Sequence, residues 1–174
     1  LLKLKKICDD LQLTPSGFVI LSEAISHFIK QDEETPLSGI VVGISNEALD
    51  ISIFDVGKLV GTTSVLRSVS VEEDMFEGIS RLSGGIESLP PRIILFNQNE
   101  KELEEVRENL INVDWNKIGL TTESGESKFM HSPKIEILEP HKKILAVALA
   151  GGSELGEVSG IVENDNLETV TEEM

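Results

Sequence analysis

The spacing of apolar residues alternates between helical and strand periods along this chain. Residues 3–12 carry apolar side chains at helical spacing and predict the end of a helix, which the Pro- and Gly-containing residues 13–17 close. The apolar run from Gly17 to Leu21 predicts a short strand. Ser22 fits the N-cap of a second helix. That helix is predicted to bury Ala24, Ile25, Phe28 and Ile29.

Three strands are predicted in quick succession between residues 38 and 66. Residues 38–45 form a continuous apolar run, which is typical of a strand buried on both faces. Apolar and polar residues alternate over residues 49–53, which indicates a strand with one packed face. Residues 55–58 supply a turn, and residues 59–66, rich in Val and Thr, return as a third strand. Together they predict an antiparallel meander.

Helices and strands alternate through the rest of the chain. Ser70 opens a sequence of capping-box form, and the amphipathic helix that follows ends at Gly84-Gly85. Asn99 with Glu102 is predicted to cap a later helix. The remaining elements are a strand at 92–96, a helix with the core residues Leu103, Val106, Leu110 and Ile111, a strand at 134–138 and a closing apolar run at 144–150.

This order of elements predicts an α/β fold of the ribonuclease H-like kind, with a mixed sheet and helices on both faces. Two classes of protein share that topology, nucleases and actin-like ATPases. A two-metal nuclease needs carboxylates in the first and fourth strands to hold paired cations. The first strand has Gly43 there and the fourth runs into Asn97. The nuclease hypothesis is therefore set aside.

Residues 3–150 resemble, in segment order and apolar pattern, the C-terminal half of the actin-like ATPase superfamily members PilM and FtsA, which are bacterial scaffold proteins. Residues 4–24 are similar to their helix, strand and helix that precede the second nucleotide-binding half. Residues 39–65 look like their phosphate-binding hairpin, and 92–110 like the strand, loop and helix that hold adenosine. The resemblance extends to the strand at 132–140 and the closing helix at 144–150.

The resemblance implies three parts of the chain. Residues 1–37 would be the end of a preceding subdomain, and residues 38–153 the actin-type, ribonuclease H-like subdomain. Residues 154–174 contain acidic residues and no basic ones, and their low apolar content predicts a disordered acidic tail. The chain opens on Leu1 within a helical pattern, so we expect it to be part of a longer protein.

The two loops that would contact a nucleotide depart from the pattern of active relatives. Those relatives have an acidic residue followed by a Gly-rich turn, and further glycines after the adenosine strand, because backbone N–H groups must approach the phosphates. This chain instead has Ser45-Asn46-Glu47 after Gly43, and Asn97-Gln98-Asn99 after its fourth strand. The residues that the resemblance places at such a site are Gly43, Ser45, Asn46, Asn97 and Asn99.

We therefore expect a domain that is not an enzyme, has no cofactor and no catalytic residue, and acts as a scaffold through protein contacts. The alternative is an ATP-binding ATPase, with Mg²⁺, whose main phosphate loops lie in another half of the protein. A second adenosine motif is also conceivable at residues 149–155, where an apolar run meets Gly-Gly. A helix end is the preferred interpretation of that segment, because only the acidic tail follows it.

Charge and composition narrow the classes of partner. The net charge of −16 argues against nucleic-acid binding, which needs clustered Lys and Arg. The single cysteine, Cys8, cannot form an internal disulfide and is predicted to be buried. No apolar run reaches the roughly 18 residues that a membrane span needs. The resemblance implies a cytoplasmic location. It implies that the partners are peptides of inner-membrane proteins or further copies of the chain. Any association with a membrane would then occur through these partners.

Candidate metal ligands and aromatic sites are sparse. The three histidines, His27, His131 and His141, lack a partner at metal-ligand spacing, so no metal site is predicted. Trp115 is expected to anchor the end of the preceding helix. Residues 129–134 combine two large apolar residues with a Pro, and they are interpreted as an ordinary loop entering a strand, with a partner-binding edge as the alternative.

Overall fold

In a computed structural model of the chain, the described residues are 2–14, 19–97, 99–115, 120–122 and 124–153. They form one five-stranded sheet with helices on both faces. The elements are α1 Leu2–Asp10, α2 Leu21–Asp32, β1 Gly39–Ile44, β2 Ala48–Asp55, β3 Lys58–Leu66, α3 Val71–Leu82, β4 Arg92–Phe96, α4 Glu100–Ile111, β5 Lys134–Ile137 and α5 Pro140–Ser153.

The sheet has the strand order β3-β2-β1-β4-β5. Strands β1, β2 and β3 form the predicted antiparallel meander, whereas β4 and β5 lie parallel to β1. This combination of strand order and direction is that of the ribonuclease H-like fold, so the predicted fold class is confirmed. The central strand β1 is buried at all six positions, as its continuous apolar run predicted.

Each face of the sheet has its own apolar core. Helices α3 and α4 cover one face, where Met75, Ile79, Leu103 and Leu110 pack onto the strands. Helices α2 and α5 cover the other face, where the core includes Ile25, Phe28, Val41, Ile94, Ala146 and Leu149. Side chains on both faces of the parallel strands β1 and β4 therefore contact helices, which is why β1 and the buried centre of β4 are apolar.

Close helix contact on the first face requires a glycine in α3. A Cβ placed on Gly78 would lie 2.2 Å from Cδ1 of Ile51 in β2. The helix backbone therefore rests directly on the sheet at this point. A larger residue at position 78 would require the Ile51 side chain to shift or α3 to move away from β2.

The residues before α2 differ from their prediction. Val19 and Ile20 are half-exposed and not in a strand, because neither edge strand of the sheet, β3 or β5, pairs with them. Helix α2 begins at Leu21 with Ile20 as its N-cap. Ser22, the predicted cap, instead accepts a hydrogen bond at 2.9 Å from the buried Ser52 hydroxyl of β2. The start of the predicted strand, residues 17 and 18, lies outside the described residues.

Two predictions of burial on helix faces were wrong. In α1, Cys8 is only half-buried, because no described side chain of this helix belongs to either apolar core, and its apolar neighbours Ile7 and Leu11 are exposed. In α4, Ile111 is exposed at the last residue of the helix, past the stripe formed by Leu103, Val106 and Leu110. Helical spacing predicts a shared face but not that a neighbouring element covers it.

The end of the described chain is helical. Helix α5 continues through Gly151 and Gly152 to Ser153, so the alternative of a strand followed by Gly-Gly is wrong. Trp115 is fully buried, and its indole N–H donates to the Leu110 carbonyl at 3.1 Å, which confirms its role as an anchor for α4. The predicted tail, residues 154–174, lies outside the described residues. The subdomain boundary after residue 37 stays a prediction.

Candidate functional site

A cleft of about 520 Å³ lies at the carboxyl ends of β1 and β4, on the face covered by α2 and α5. In open sheets that contain parallel strands, this end is where ligands commonly bind. The five residues predicted from the resemblance all line the cleft: Gly43, Ser45, Asn46, Asn97 and Asn99. The fold therefore brings together two loops that lie more than fifty residues apart in the sequence. Whether they bind a nucleotide stays a prediction.

The backbone of Gly43 is covered by an aromatic ring. Gly43 pairs directly with Phe96 in the parallel register of β1 and β4. A Cβ placed on Gly43 would lie only 2.5 Å from Cζ of Phe96, because the ring lies over the glycine. Phe96 joins the core beneath α2 and α5. The space that a side chain at position 43 would occupy is therefore filled by the Phe96 ring.

The turn between β1 and β2 uses its own polar groups. The Ser45 hydroxyl donates to the Ala48 carbonyl at 2.8 Å and accepts from the Ala48 N–H at 3.0 Å. The Ser45 carbonyl accepts from the Arg67 guanidinium at 3.1 Å. Hydrogen bonds from a serine hydroxyl to nearby backbone are typical of tight turns, and here they stabilise the turn between β1 and β2. They leave Ser45 already bonded on both its side chain and its carbonyl.

A charged network joins this turn to α4. Arg67 forms an ion pair with Glu102, and the Asn97 amide donates to the same carboxylate at 2.8 Å. The side chains of Arg67 and Glu102 are each 22% exposed, so the pair is largely shielded from water. Asn99 and Glu102 were predicted to cap α4, and the structure confirms the position of the cap but not its side-chain bonds. Asn99 is the N-cap residue but makes no side-chain cap bond, and Glu102 turns towards Arg67.

Six residues that line the cleft were not among the predicted site residues: Leu21, Ile44, Asp50, Phe96, Glu102 and Lys143. Asp50 lies opposite Gly43 in the antiparallel register, so the pairing of the meander could have placed it at the cleft. Leu21 and Lys143 come from the starts of α2 and α5. No local pattern marks them, because packing of the two helices on the sheet brings them there. Asp50 and Lys143 supply opposite charges at the cleft border.

The chemistry available to the cleft is hydrogen bonding and weak charge recognition. The amides of Asn46 and Asn99, with Asp50 and Lys143, could hold a polar group of a ligand. Among the described residues that line it, there is no histidine or cysteine to serve as a base or nucleophile. In the part of the chain that the structure describes, no three His, Cys, Asp or Glu side chains are grouped as metal ligands.

A second charged network lies at the opposite end of β4. Arg92 bonds to Glu33 after α2 and to Glu136 on β5, and Lys134 pairs with Glu136 at 2.7 Å. The hydrogen bonds to Glu33, opposed by partial burial and aided by Glu136, raise the pKa of Arg92. For Glu136, burial opposes ionisation, but hydrogen bonds from Lys134 and Arg92 outweigh it and lower its pKa. This network ties α2 to the sheet and is structural.

Comparisons with known proteins add little to this description. No protein-family model and no curated protein matches the chain. Among solved structures it is similar to a structure of the Aquifex aeolicus PPX-GPPA enzyme, with a TM-score of 0.30 and 11% identity. That similarity covers 53% of this chain and 36% of the enzyme chain. So low a TM-score supports no conclusion about function. No helix in the described ranges is long and apolar enough to cross a membrane.

Proposed function

We propose that this chain is a non-catalytic, actin-like scaffold domain that works through protein contacts in a membrane-associated assembly of the PilM or FtsA kind. The observation that carries the proposal is the state of the cleft, where Phe96 covers the Gly43 backbone. A phosphate site needs bare backbone N–H groups at such a strand end. Here the backbone is already in contact with an aromatic side chain of the same protein.

The polar groups of the cleft support the same proposal. A ligand that used Asn97 or Glu102 would compete with the bond between them and with the ion pair to Arg67. Removing one partner from a shielded pair leaves a charge without compensation and costs free energy. The network therefore favours a structural role for these side chains, which hold the end of β1, the β3–α3 connection and α4 together. The pilus or cell-division setting and the cytoplasmic location rest on the sequence resemblance alone.

The second candidate is an ATP-binding domain, and one observation favours it. The five residues implied by the resemblance do line a single cleft, whose volume is in the range of small-molecule sites. Asp50 and Lys143 add charged groups that could contact Mg²⁺ or a phosphate. In this hypothesis Phe96 would have to move away from Gly43 when the nucleotide binds.

Calorimetry with ATP and Mg²⁺ on this chain separates the two candidates. The scaffold proposal expects no saturable binding. Micromolar binding that Asp50→Ala and Asn97→Ala both weaken would overturn it. The matched control is Asp55→Ala, an exposed carboxylate at the far end of β2. It should leave any binding in the cleft unchanged. Circular dichroism confirms that each variant is folded.

A further inference from the structure

A second concave surface, the β5 groove, runs along the outer edge of β5 between α4 and the start of α5. Its volume is about 660 Å³. The residues that line it are Lys101, Glu104, Glu105, Glu108, Ile137, Glu139 and Pro140. None of them belongs to the cleft at the ends of β1 and β4. The function proposed above does not involve these residues, so the groove needs its own explanation.

The floor of the groove includes a strand edge. Strand β5 is the last strand of the sheet, and Lys134 and Leu138 donate their N–H groups inward to β4 at 2.8 Å. In a parallel pair, alternate residues face the neighbour, so Ile135 and Ile137 direct their N–H and C=O groups outward. Arg107 donates to the outward Ile135 carbonyl at 3.4 Å, which agrees with this direction. Ile137, in the groove, offers an outward donor and acceptor.

The walls of the groove are acidic on both sides. Glu104, Glu105 and Glu108 stand on α4, and Glu139 stands at the start of α5. Two of these have weak local partners: Glu104 lies 3.3 Å from Arg107, and Glu139 lies 3.3 Å from His141. Lys101 is the only basic residue among the described lining residues. Between the walls, Ile137 and Pro140 form an apolar strip.

We propose that the β5 groove binds an extended basic segment of a partner protein as an added strand, which rests on the scaffold function proposed above. The backbone of the segment would bond to the outward groups of Ile137, as in strand addition at an open sheet edge. Alternate side chains of a strand point in opposite directions. Apolar residues of the segment would therefore pack on Ile137 and Pro140, and its Lys or Arg residues would face Glu105 and Glu108.

Charge selects this occupant over the chain's own segments. Residues 154–174 contain acidic residues and no basic ones, so the glutamates of the groove would repel that segment. A second copy of the chain brings the same net charge of −16, and nucleic acid is also an anion. A basic segment is attracted by both the groove and the net charge. That attraction would speed the association of the basic segment with the groove. It would also favour the basic segment over uncharged segments.

The probe that tests the proposal is a labelled peptide of alternating Lys and Val, compared with its counterpart of alternating Glu and Val. Fluorescence anisotropy with the whole 174-residue chain is expected to show saturable binding of the basic peptide. Higher salt should weaken this binding, because the attraction is between exposed charges. The acidic peptide should not bind. Equal binding of the two peptides would overturn the proposal.

Charge reversal locates the binding. Glu105→Lys with Glu108→Lys should raise the Kd for the basic peptide by about tenfold or more. The control pair, Glu87→Lys with Glu126→Lys, changes the net charge equally at exposed loop positions and should raise it far less. An equal rise in Kd for the two variants would mean that the net charge alone attracts the peptide. That result would exclude the groove as the binding site.

Strand addition itself is tested at Ile137. Ile137→Pro removes the outward N–H while keeping the inward bonds of β5, whereas Ile137→Val keeps the donor. We expect Ile137→Pro to lose binding of the basic peptide and Ile137→Val to retain it. Binding by wild-type protein should also slow hydrogen exchange of the Ile137 amide, a readout that does not depend on the proline variant folding. Unchanged exchange would contradict strand addition.

Two further measurements keep the proposals distinguishable. If sedimentation shows self-association that the Glu105→Lys, Glu108→Lys variant abolishes, the occupant is a second copy and the partner proposal is overturned. If ATP binds in calorimetry, the scaffold function fails whatever the peptide does. If neither ATP nor the basic peptide binds, the scaffold function stands and only the groove proposal fails.

Discussion

The cleft and the β5 groove are similar in size but differ in how their polar groups are satisfied. In the cleft, Arg67, Glu102, Asn97 and the Ser45 hydroxyl are bonded to one another or to nearby backbone. In the groove, three glutamates of α4 and Glu139, the residue before α5, face an outward strand edge and an apolar strip. Volume alone therefore does not identify a binding surface. The groups that remain available for a partner distinguish the two.

The difference has a physical cause in the position of each surface. The cleft lies where three strands and three helices converge, so the largely shielded side chains of Arg67 and Glu102 there must find partners within the protein. The groove lies at the margin of the sheet, where water can solvate the glutamates of the free protein. Substitutions in the cleft should therefore change stability, and substitutions in the groove should change binding.

The largest effect on stability is expected for Gly43→Ala. The added methyl group would meet the Phe96 ring, and such overpacking should lower the free energy of unfolding by about 1–3 kcal/mol. Urea unfolding of Gly43→Ala, Phe96→Ala and the double variant measures the coupling between the sites. The methyl group should cost much less in the Phe96→Ala background. Gly84→Ala, where a Cβ meets nothing within 4 Å, is the control.

A smaller loss is expected for Arg67→Met. It leaves the shielded Glu102 carboxylate with the Asn97 amide as its main partner, which should cost about 1–2 kcal/mol of stability. Arg81→Met is the matched control, because Arg81 pairs with Glu77 on the exposed side of α3. That exposed pair should contribute less than about 0.5 kcal/mol. Equal losses in the two variants would show that the cleft network is no stronger than a surface pair.

Glu136→Gln tests the paired carboxylate of β5 through pH. The pKa of Glu136 is lowered in the folded protein, so its ionisation stabilises the fold above its ordinary pKa. That contribution disappears as the pH falls through the folded-state pKa. Unfolding curves of wild type and variant should differ by up to about 1 kcal/mol near neutral pH and converge in acid. Lys134→Met should produce a smaller difference, since Arg92 still bonds to Glu136. A gap that widens in acid would contradict the assignment.

The smallest effect on stability is expected in the groove. Glu105→Lys with Glu108→Lys should change the free energy of unfolding by less than about 0.5 kcal/mol, because exposed charges contribute little. The same variant is the one expected to lose the basic peptide. A loss of stability comparable with that of Arg67→Met would place these glutamates in a structural network and remove the contrast between the two surfaces.

Periodicity in the sequence determined the order of elements from β1 onward, the meander, and the burial of the central strand. These features follow from local patterns that each element must satisfy wherever it packs. The same patterns misjudged Cys8 and Ile111, whose burial depends on whether another element covers them.

Only the tertiary structure decided what occupies the cleft and what surrounds the groove. The ring of Phe96 reaches Gly43 because the two residues are partners in adjacent strands, and Arg67 reaches Glu102 across 35 positions of sequence. The acidic walls of the groove come from α4 and from the residue that precedes α5, which lie on either side of β5. Strand register and helix placement set these contacts, and neither is fixed by the hydrophobic pattern of a single segment.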